Sequence, residues 1–447
     1  MNNTIKTIDA KPLSKHLIVI EKTYKANHSS DYTEKMEALR KSFNYAQNSN
    51  SYWGPLELST LYGTPLYEEC SISQKLALNH LYWAGQYGHT AAAESNTILY
   101  NQVTSGVFKH LKGYDTLSNE LDIETKQEKE HIKAFQYIGY KTKVSLLGRG
   151  ALGNSLIKRS TNPFNSINLR TRLSLDNLLD SHQDSAFRLV TKLFLKENKK
   201  YYSQYFQTHE SDSIPPILGG IVGLLGSPRW LKFLTFNWGG SPFLAAQYYS
   251  LRMIANMSLK AYEYKYYKNF RNLEKQDKFI PTPTAISYYH LLDESFHTTM
   301  SKIISQDVYK DFPKPTEYEK IVANIIIYNA QRSVLGGLSG GLPVVFRSDG
   351  SFLISFFRLL KSPLFEMNTE EALIWIEKCV CHEHEGFEAN VRHHESLLND
   401  FRRFFSSLDY LWPINREMKI MAAGGSIEKA IIDNTKSYRQ FAKQFKT

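Results

Sequence analysis

Cysteine is scarce in this chain of 447 residues. The three cysteines, Cys70, Cys379 and Cys381, are too few for a disulfide framework, which indicates a reducing compartment. Residues 1–22 lack an uninterrupted apolar segment and a small-residue cleavage site, so we expect no signal peptide. No run of roughly 18 strongly apolar residues is present, so no membrane-spanning helix is predicted. We therefore predict a cytoplasmic protein.

Cofactor-binding loops are also missing. Residues 148–153 are rich in glycine, but no strand–loop–helix pattern surrounds them, so we do not predict a phosphate loop. Nothing resembles a flavin or nicotinamide site either. If the protein carries out redox chemistry, its electrons must come from an external donor.

The net charge of +10 is compatible with an acidic partner, such as a carrier protein, a reductase or a membrane surface. A solvated lysine-rich surface is the simpler explanation of the same charge. We expect no nucleic-acid partner, and we include a homodimer among the expected assemblies.

Hydrophobic residues at helical spacing predict four long helices. They cover residues 71–108, 119–140 and 242–275, with a fourth helix that begins near Thr284. Ser73 is the predicted N-cap of the first helix, and Pro242 fits the first turn of the third. We predict an all-α protein, a single enlarged domain over residues 1–447. Its parts are an N-terminal arm (1–60), a four-helix core (70–140 and 240–300), an insertion (141–239) and a C-terminal helical extension (301–447).

Ionisable residues recur on these helices at spacings that suit a metal. On the fourth helix, His290, Glu294 and His297 fall within roughly a 60° arc. On the second, Glu128 and His131 stand three residues apart on one face. Imidazoles and carboxylates that point the same way are ligands for a first-row transition metal.

A lone glutamate lies on the helix before each of these motifs, Glu94 on the first helix and Glu263 on the third. Each element has a simpler reading when taken alone. Glu94 could hydrogen-bond across helices, and Glu-x-x-His motifs are mostly solvated. Glu263 could pair with Lys260 on the surface. The stretch from Cys379 to His384 invites a second metal site, but its Cys-x-Cys spacing is too tight for a usual zinc knuckle, so a helix face is favoured.

The order of these residues along the chain resembles the di-iron N-oxygenases of arylamines, the family of the p-aminobenzoate and aminochloramphenicol oxygenases. The resemblance covers roughly residues 70–140 and 240–300, and it includes the extra histidine one turn before the last Glu-x-x-His. It implies a ferritin-like four-helix bundle with a di-iron site. The implied iron ligands are Glu94, Glu128, His131, Glu263, His290, Glu294 and His297.

The resemblance also implies a function. The expected cofactors are two iron ions, with O2 as co-substrate, and four carboxylates would neutralise two Fe(II) ions. O2 activation through a diferric-peroxo state would N-oxygenate an amine towards a hydroxylamine, nitroso or nitro product. A di-iron hydroxylase or desaturase that acts on a lipid-like or carrier-bound substrate is the alternative. An iron-binding protein without catalysis is a third reading.

Four further residues are candidates for supporting roles. Asp293 is placed to hydrogen-bond the outer nitrogen of a liganding histidine on the neighbouring helix, and Glu124 lies one turn before Glu128. Arg252 and Asn256 share the direction of Glu263, so we predict an elongated, largely apolar pocket in which Asn256 lies beside the metals and Arg252 anchors the substrate at the far end. The simpler reading of Arg252 is that it faces solvent or an acidic neighbour. We expect the apolar residues 214–238 to form an irregular hairpin that lines it.

Overall fold

A computed structural model of the chain describes residues 14–148, 203–208 and 228–445, together with Leu189, Leu193 and Leu195. Every regular element in these residues is helical, which confirms the predicted all-α fold. The α-helices are α1 (Lys15–His28), α2 (Tyr32–Ser42), α3 (Tyr45–Asn48), α4 (Pro65–Glu69), α5 (Ile72–Phe108), α6 (Asp115–Leu147), α7 (Gln204–Thr208), α8 (Pro228–Gly240), α9 (Pro242–Lys275), α10 (Thr282–Gln306), α11 (Glu317–Ser333), α12 (Leu353–Leu360), α13 (Thr369–Val380), α14 (Glu385–Phe405), α15 (Pro413–Arg416), α16 (Lys419–Gly424) and α17 (Ile427–Ala442). Short 3-10 turns cover Val308–Asp311, Asp349–Ser351 and Lys443–Phe445.

Local sequence signals set the ends of the long helices. Ser71, rather than Ser73, caps α5, because its side chain and that of Gln74 satisfy each other's backbone N–H groups. Ser241 caps α9 and is followed by Pro242, whose missing N–H needs no partner in the first turn. Helix α6 runs past both predicted ends, from Asp115 to Leu147.

The four long helices form the bundle. Helix α5 packs along α6, α9 packs along α10, and the two pairs meet where α9 contacts α5 and α10 contacts α6. Large side chains such as Trp83, Tyr87, Phe135 and Tyr266 are fully buried between them. Burial of this apolar surface is the main force that holds the bundle together. The bundle is the scaffold on which the candidate metal ligands stand.

The N-terminal residues lie against the bundle. Helices α1 and α2 both pack on α6 and α10. Helix α2 ends at Ser42, because Phe43 adopts an extended backbone with ψ of 124°. Helix α1 carries Asn27 and α2 carries Thr33, and both side chains contact buried residues of the bundle.

The predicted insertion is described at its two ends, over residues 203–208 and at three single leucines. Residues 141–147 continue α6, and residues 228–240 form α8, which packs against α5 and α9. The prediction of an irregular hairpin is therefore wrong for 228–238, and the rest of it lies outside the described residues. Phe236 and Trp238 are fully buried, so a helical face that fits the bundle overrides the glycine and proline signals nearby. No helix in the described ranges is long and apolar enough to cross a membrane.

Candidate metal centre

The four bundle helices bring buried imidazoles and carboxylates to one place. Ligand atoms of Glu94, His131, His290 and Glu294 all lie within 4.8 Å of one another. Glu128, Glu294 and His297 form a second group of the same kind. Glu294 belongs to both groups, so it stands between two adjoining positions for a cation. Each of these residues is at most 6% exposed.

Glu263 lies beside the first group but is not part of it. Its Oε1 accepts hydrogen bonds from Nδ1 of His290 at 2.6 Å and from the Tyr87 hydroxyl at 2.8 Å. Its Oε2 is buried and has no hydrogen-bond partner. The alternative of a surface pair with Lys260 is wrong, because Glu263 is 0% exposed. Its role as a ligand stays a prediction.

The two histidines of the Glu-x-x-His motifs are held by their outer nitrogens. Nε2 of His131 lies 2.9 Å from Oδ2 of Asp293, the contact that the position of Asp293 suggests. Nε2 of His297 lies 3.0 Å from Oε1 of Gln127. An acceptor on Nε2 selects the tautomer whose Nδ1 carries a free lone pair. Both Nδ1 atoms face the carboxylates of the cluster.

These two contacts are related by the internal symmetry of the bundle. Gln127 directly precedes Glu128, and Asp293 directly precedes Glu294. The contacts cross between the two motifs: Asp293 holds His131, and Gln127 holds His297. The Gln127 amide also donates to Oδ1 of Asp293 at 2.8 Å. Gln127 was not among the predicted site residues. Its position one residue before a Glu-x-x-His motif, equivalent to that of Asp293, was the signal that could have found it.

Helices α1 and α2 complete this hydrogen-bond network. The Thr33 hydroxyl donates to Oδ2 of Asp293 at 2.8 Å, and Asn27 accepts from the Gln127 amide at 2.7 Å. Asn27 also donates to the buried Glu120 at 2.8 Å. The N-terminal helices therefore fix the residues that orient the histidines.

The donor set fits a metal on the evidence of its unsatisfied atoms. Oε2 of Glu94, Glu128 and Glu263 and Nδ1 of His131 are buried without a hydrogen-bond partner. Buried polar atoms are rarely left this way, because each loses its hydration without compensation. Carboxylate and imidazole donors suit iron, and cations at the two positions would satisfy these atoms.

In the metal-free site, protons satisfy some of the buried carboxylate and imidazole atoms. Burial lowers the pKa of His290, but Glu263 and Glu94 outweigh burial, so the pKa lies well above its ordinary range. Burial also lowers the pKa of His131, but the neighbouring carboxylates of Asp293 and Glu128 outweigh burial and raise this pKa to about 9. Burial beside Glu128 raises the pKa of Glu94 to about 7. Metal binding must displace such protons.

Comparison with known proteins gives one match. A family model described as "Acyl halogenase CylC-like" matches residues 15–442. The chain belongs to the CylC-like acyl halogenase family. This family lies within the di-iron ferritin-like oxygenase group, so the sequence resemblance holds at the level of that group, while the narrower N-oxygenase family is not shown. No curated protein and no solved structure matches the chain.

In this member of the CylC-like family, Arg252 is not a remote pocket anchor. Its guanidinium is buried and lies 2.5 Å from Oε2 of Glu124 and 3.1 Å from Oε1 of Glu128. Nη1 also donates to Asn101 at 3.3 Å. The prediction of a substrate anchor at the far end of the pocket conflicts with these contacts. Arg252 is distant from Glu263 along the helix, but its long side chain reaches across to α6.

Glu124, predicted as a supporting residue, is buried in this same ion pair. Asn101 donates to it from α5 at 3.4 Å. Glu124, Arg252 and Glu128 thus form a buried charge chain that leads to the candidate centre.

A cavity of about 170 Å³ opens between α9 and α10 beside the candidate centre. Glu263 and Glu294 border it, and Asn256 lies in its wall, as the pocket prediction requires. Three leucines supply much of the remaining wall, and Lys260 and Tyr264 stand at exposed positions around it. The apolar wall residues are Leu259, Leu291 and Leu292.

The cysteine–histidine stretch near residue 380 has a structural explanation. Nε2 of His384 donates to the backbone oxygen of Cys379 at 2.7 Å, and the side chain also caps α14. Within the described part of the chain, no metal-binding group includes Cys379 or Cys381.

Proposed function

We propose that this protein is a di-iron halogenase that replaces a C–H bond of an acyl substrate with a carbon–halogen bond. The observation that carries the proposal is the pair of buried ligand groups that share Glu294, found in a chain that the acyl halogenase model matches almost throughout. Two iron ions per chain follow from the two groups. Bound iron would supply O2 activation, as metal cofactors commonly supply the redox chemistry.

The overall reaction balances with an external electron donor. One C–H bond breaks and one carbon–halogen bond forms from a halide ion. O2 is reduced to two molecules of water, which requires two electrons from the donor and three protons from solvent. No residue of the protein is consumed in this reaction.

The protein's own residues hold the site in place. The metal at the first position would be ligated by Glu94, His131, His290 and Glu294. The metal at the second position would be ligated by Glu128, Glu294 and His297. Asp293 and Gln127 fix the histidine rings from behind. Burial of the ligands limits the access of water, so a reactive site is less exposed to side reactions.

The cavity beside Glu263 and Glu294 favours an apolar substrate. Leu259, Leu291 and Leu292 would contact an acyl chain, and Asn256 would offer it a hydrogen bond. Lys260 lies at the mouth, and Lys268 follows two turns later on the exposed side of α9. We infer delivery of the acyl group by an acidic carrier protein, with a membrane surface as the competing source.

N-oxygenation of an amine is the competing function, because the same ligand groups would serve it. The apolar cavity wall and the family match favour the acyl substrate. A product screen separates the two. Iron-loaded protein receives O2, a chemical reductant and chloride or bromide, with acyl thioesters in one arm and aryl amines in the other.

High-resolution mass spectrometry then identifies the products. We expect a halogenated acyl product whose isotope pattern changes from chlorine to bromine with the added salt. Hydroxylamine, nitroso or nitro products, without halogen incorporation, would replace the proposal by N-oxygenation. A His131→Ala/Glu294→Ala double variant is the control for background chemistry, because it removes ligands from both positions.

A further inference from the structure

A row of four aromatic rings, three of them fully buried, leads away from the candidate metal centre. The Tyr87 hydroxyl donates to Oε1 of Glu263, and the Tyr87 ring stacks on Trp83 with centroids 4.5 Å apart. Trp83 contacts Trp53 edge-on at 5.8 Å, and Trp53 contacts Tyr45 at 6.1 Å. Tyr45 is half-buried, so the row ends near solvent.

The far end of the row has a built proton acceptor. The Tyr45 hydroxyl lies 3.0 Å from Nδ1 of His80. Nε2 of His80 lies 2.8 Å from the carbonyl oxygen of Ser51, which can only accept, so Nε2 carries the proton. Nδ1 of His80 is therefore a lone-pair acceptor for the phenol. The imidazole also stacks on Trp53 at 4.1 Å, which fixes its ring.

Packing of the core requires side chains of aromatic size, but it does not require side chains that can be oxidised. Phe43 and Phe135 lie in the same cluster and fill space without a redox-active ring. Each continuous step between Glu263 and the surface is instead a tyrosine or a tryptophan, the side chains that lose one electron most readily. Both tyrosines also have a hydrogen-bond acceptor for the proton that a phenol releases when it is oxidised.

We propose that Tyr87, Trp83, Trp53 and Tyr45 form an electron-transfer chain that carries oxidising equivalents from the metal centre to the surface. In this step an electron leaves Tyr45 and passes inward through Trp53, Trp83 and Tyr87 to the iron-loaded site, where O2 is the oxidant. The Tyr45 O–H bond breaks, and its proton moves to Nδ1 of His80. The inference rests on the proposed di-iron function. The chain would remove oxidising equivalents from the metal centre when O2 reacts there in the absence of an acyl substrate.

The test uses reduced, iron-loaded protein that is mixed with O2 without halide or acyl substrate. Samples frozen after mixing are examined by electron paramagnetic resonance, and tryptic peptides are mapped by mass spectrometry for oxidised residues. We expect an organic radical whose spectrum narrows when the protein carries ring-deuterated tyrosine. We also expect stable oxidation to concentrate at Tyr45 and Trp53.

Single variants interrupt the row at known points. Trp53→Phe should abolish oxidation of Tyr45 and leave oxidation at Trp83. Tyr45→Phe removes only a hydroxyl near the surface, so the fold is retained and oxidation should stop at Trp53. Tyr438→Phe is the matched control, because this tyrosine belongs to a separate core cluster and donates to the Leu373 backbone. It should match the unaltered protein.

The outcomes separate this inference from the proposed function. Undiminished Tyr45 oxidation in Trp53→Phe, or no radical in protein that binds iron and consumes O2, would overturn the chain while leaving the di-iron function intact. A protein that binds no iron would overturn both. Iron content and O2 consumption are therefore measured on the same samples.

Discussion

Oδ2 of Asp293 lies 2.9 Å from Nε2 of His131, on the opposite helix of the bundle. Both side chains are 0% exposed, and the carboxylate also accepts from Thr33 on α2 and from Gln127, which lies on α6 like His131. A histidine that is held in this way presents Nδ1 to the metal position with one orientation and one tautomer. Several predictions on metal binding rest on such outer contacts.

Asp293→Asn tests this contact directly. The amide keeps the size of the side chain but removes the charge that orients His131 and strengthens it as a donor. We expect iron affinity to fall roughly 10- to 100-fold, the range usual for such outer partners. Competition with a chelator under anaerobic conditions measures it. Asp122→Asn is the control, since Asp122 forms a partly exposed pair with Lys109; an equal loss in both variants would contradict the assignment.

Arg252→Ala should destabilise the protein and weaken metal binding. The substitution leaves Glu124 and Glu128 buried without their cation, and removal of one partner from a buried ion pair costs roughly 3–5 kcal/mol. Chemical denaturation of the metal-free protein measures the stability, and metal analysis measures iron content. Arg252→Lys should retain part of both. Normal iron content with only a raised KM would instead restore the role of a substrate anchor.

His290→Ala tests the additional imidazole of the first ligand group. The bundle should remain folded, because Glu294 and His297 keep the second group. We expect one iron per chain to bind normally and the other to bind more weakly, because the first group loses a donor and Glu263 loses one of its two hydrogen-bond partners. Anaerobic Fe(II) titration counts the two events. Two unchanged binding events would make His290 a packing residue.

Stability should fall in acid partly because of His80. Burial lowers the pKa of His80 to about 4, whereas the unperturbed value is 6.5. The contribution of His80 to the free energy of unfolding is therefore complete above pH 6.5. As the pH falls towards 4, up to roughly 3 kcal/mol of this free energy is lost. Denaturation of metal-free His80→Asn and unaltered protein across this range measures the difference. Parallel pH profiles for the two proteins would refute it.

The helices of this protein, and the residues that they carry, can be predicted from the amino-acid sequence. Helical spacing of apolar residues predicted the four long helices, because each has to bury one face. Helical spacing alone put Glu128 with His131, and Glu294 with His297, on one face of a helix, since residues three or four apart share a face. The choice of Glu94 as a ligand came from the resemblance to the arylamine N-oxygenases. Boundaries were less secure, as the shift of the α5 cap from Ser73 to Ser71 shows.

The partners that these side chains meet depend on how the helices pack, which the sequence pattern does not reveal. Arg252 shares a direction with Glu263, yet its guanidinium contacts Glu124 and Glu128 on another helix. Asn27 and Thr33 lie far from the motifs along the chain, but α1 and α2 bring them to Gln127 and Asp293. Periodicity fixes the face that a residue occupies, whereas the reach of a side chain and the packing of helices set its contacts. Those contacts are what distinguish a metal ligand, a positioning residue and a buried counter-ion of the same residue type.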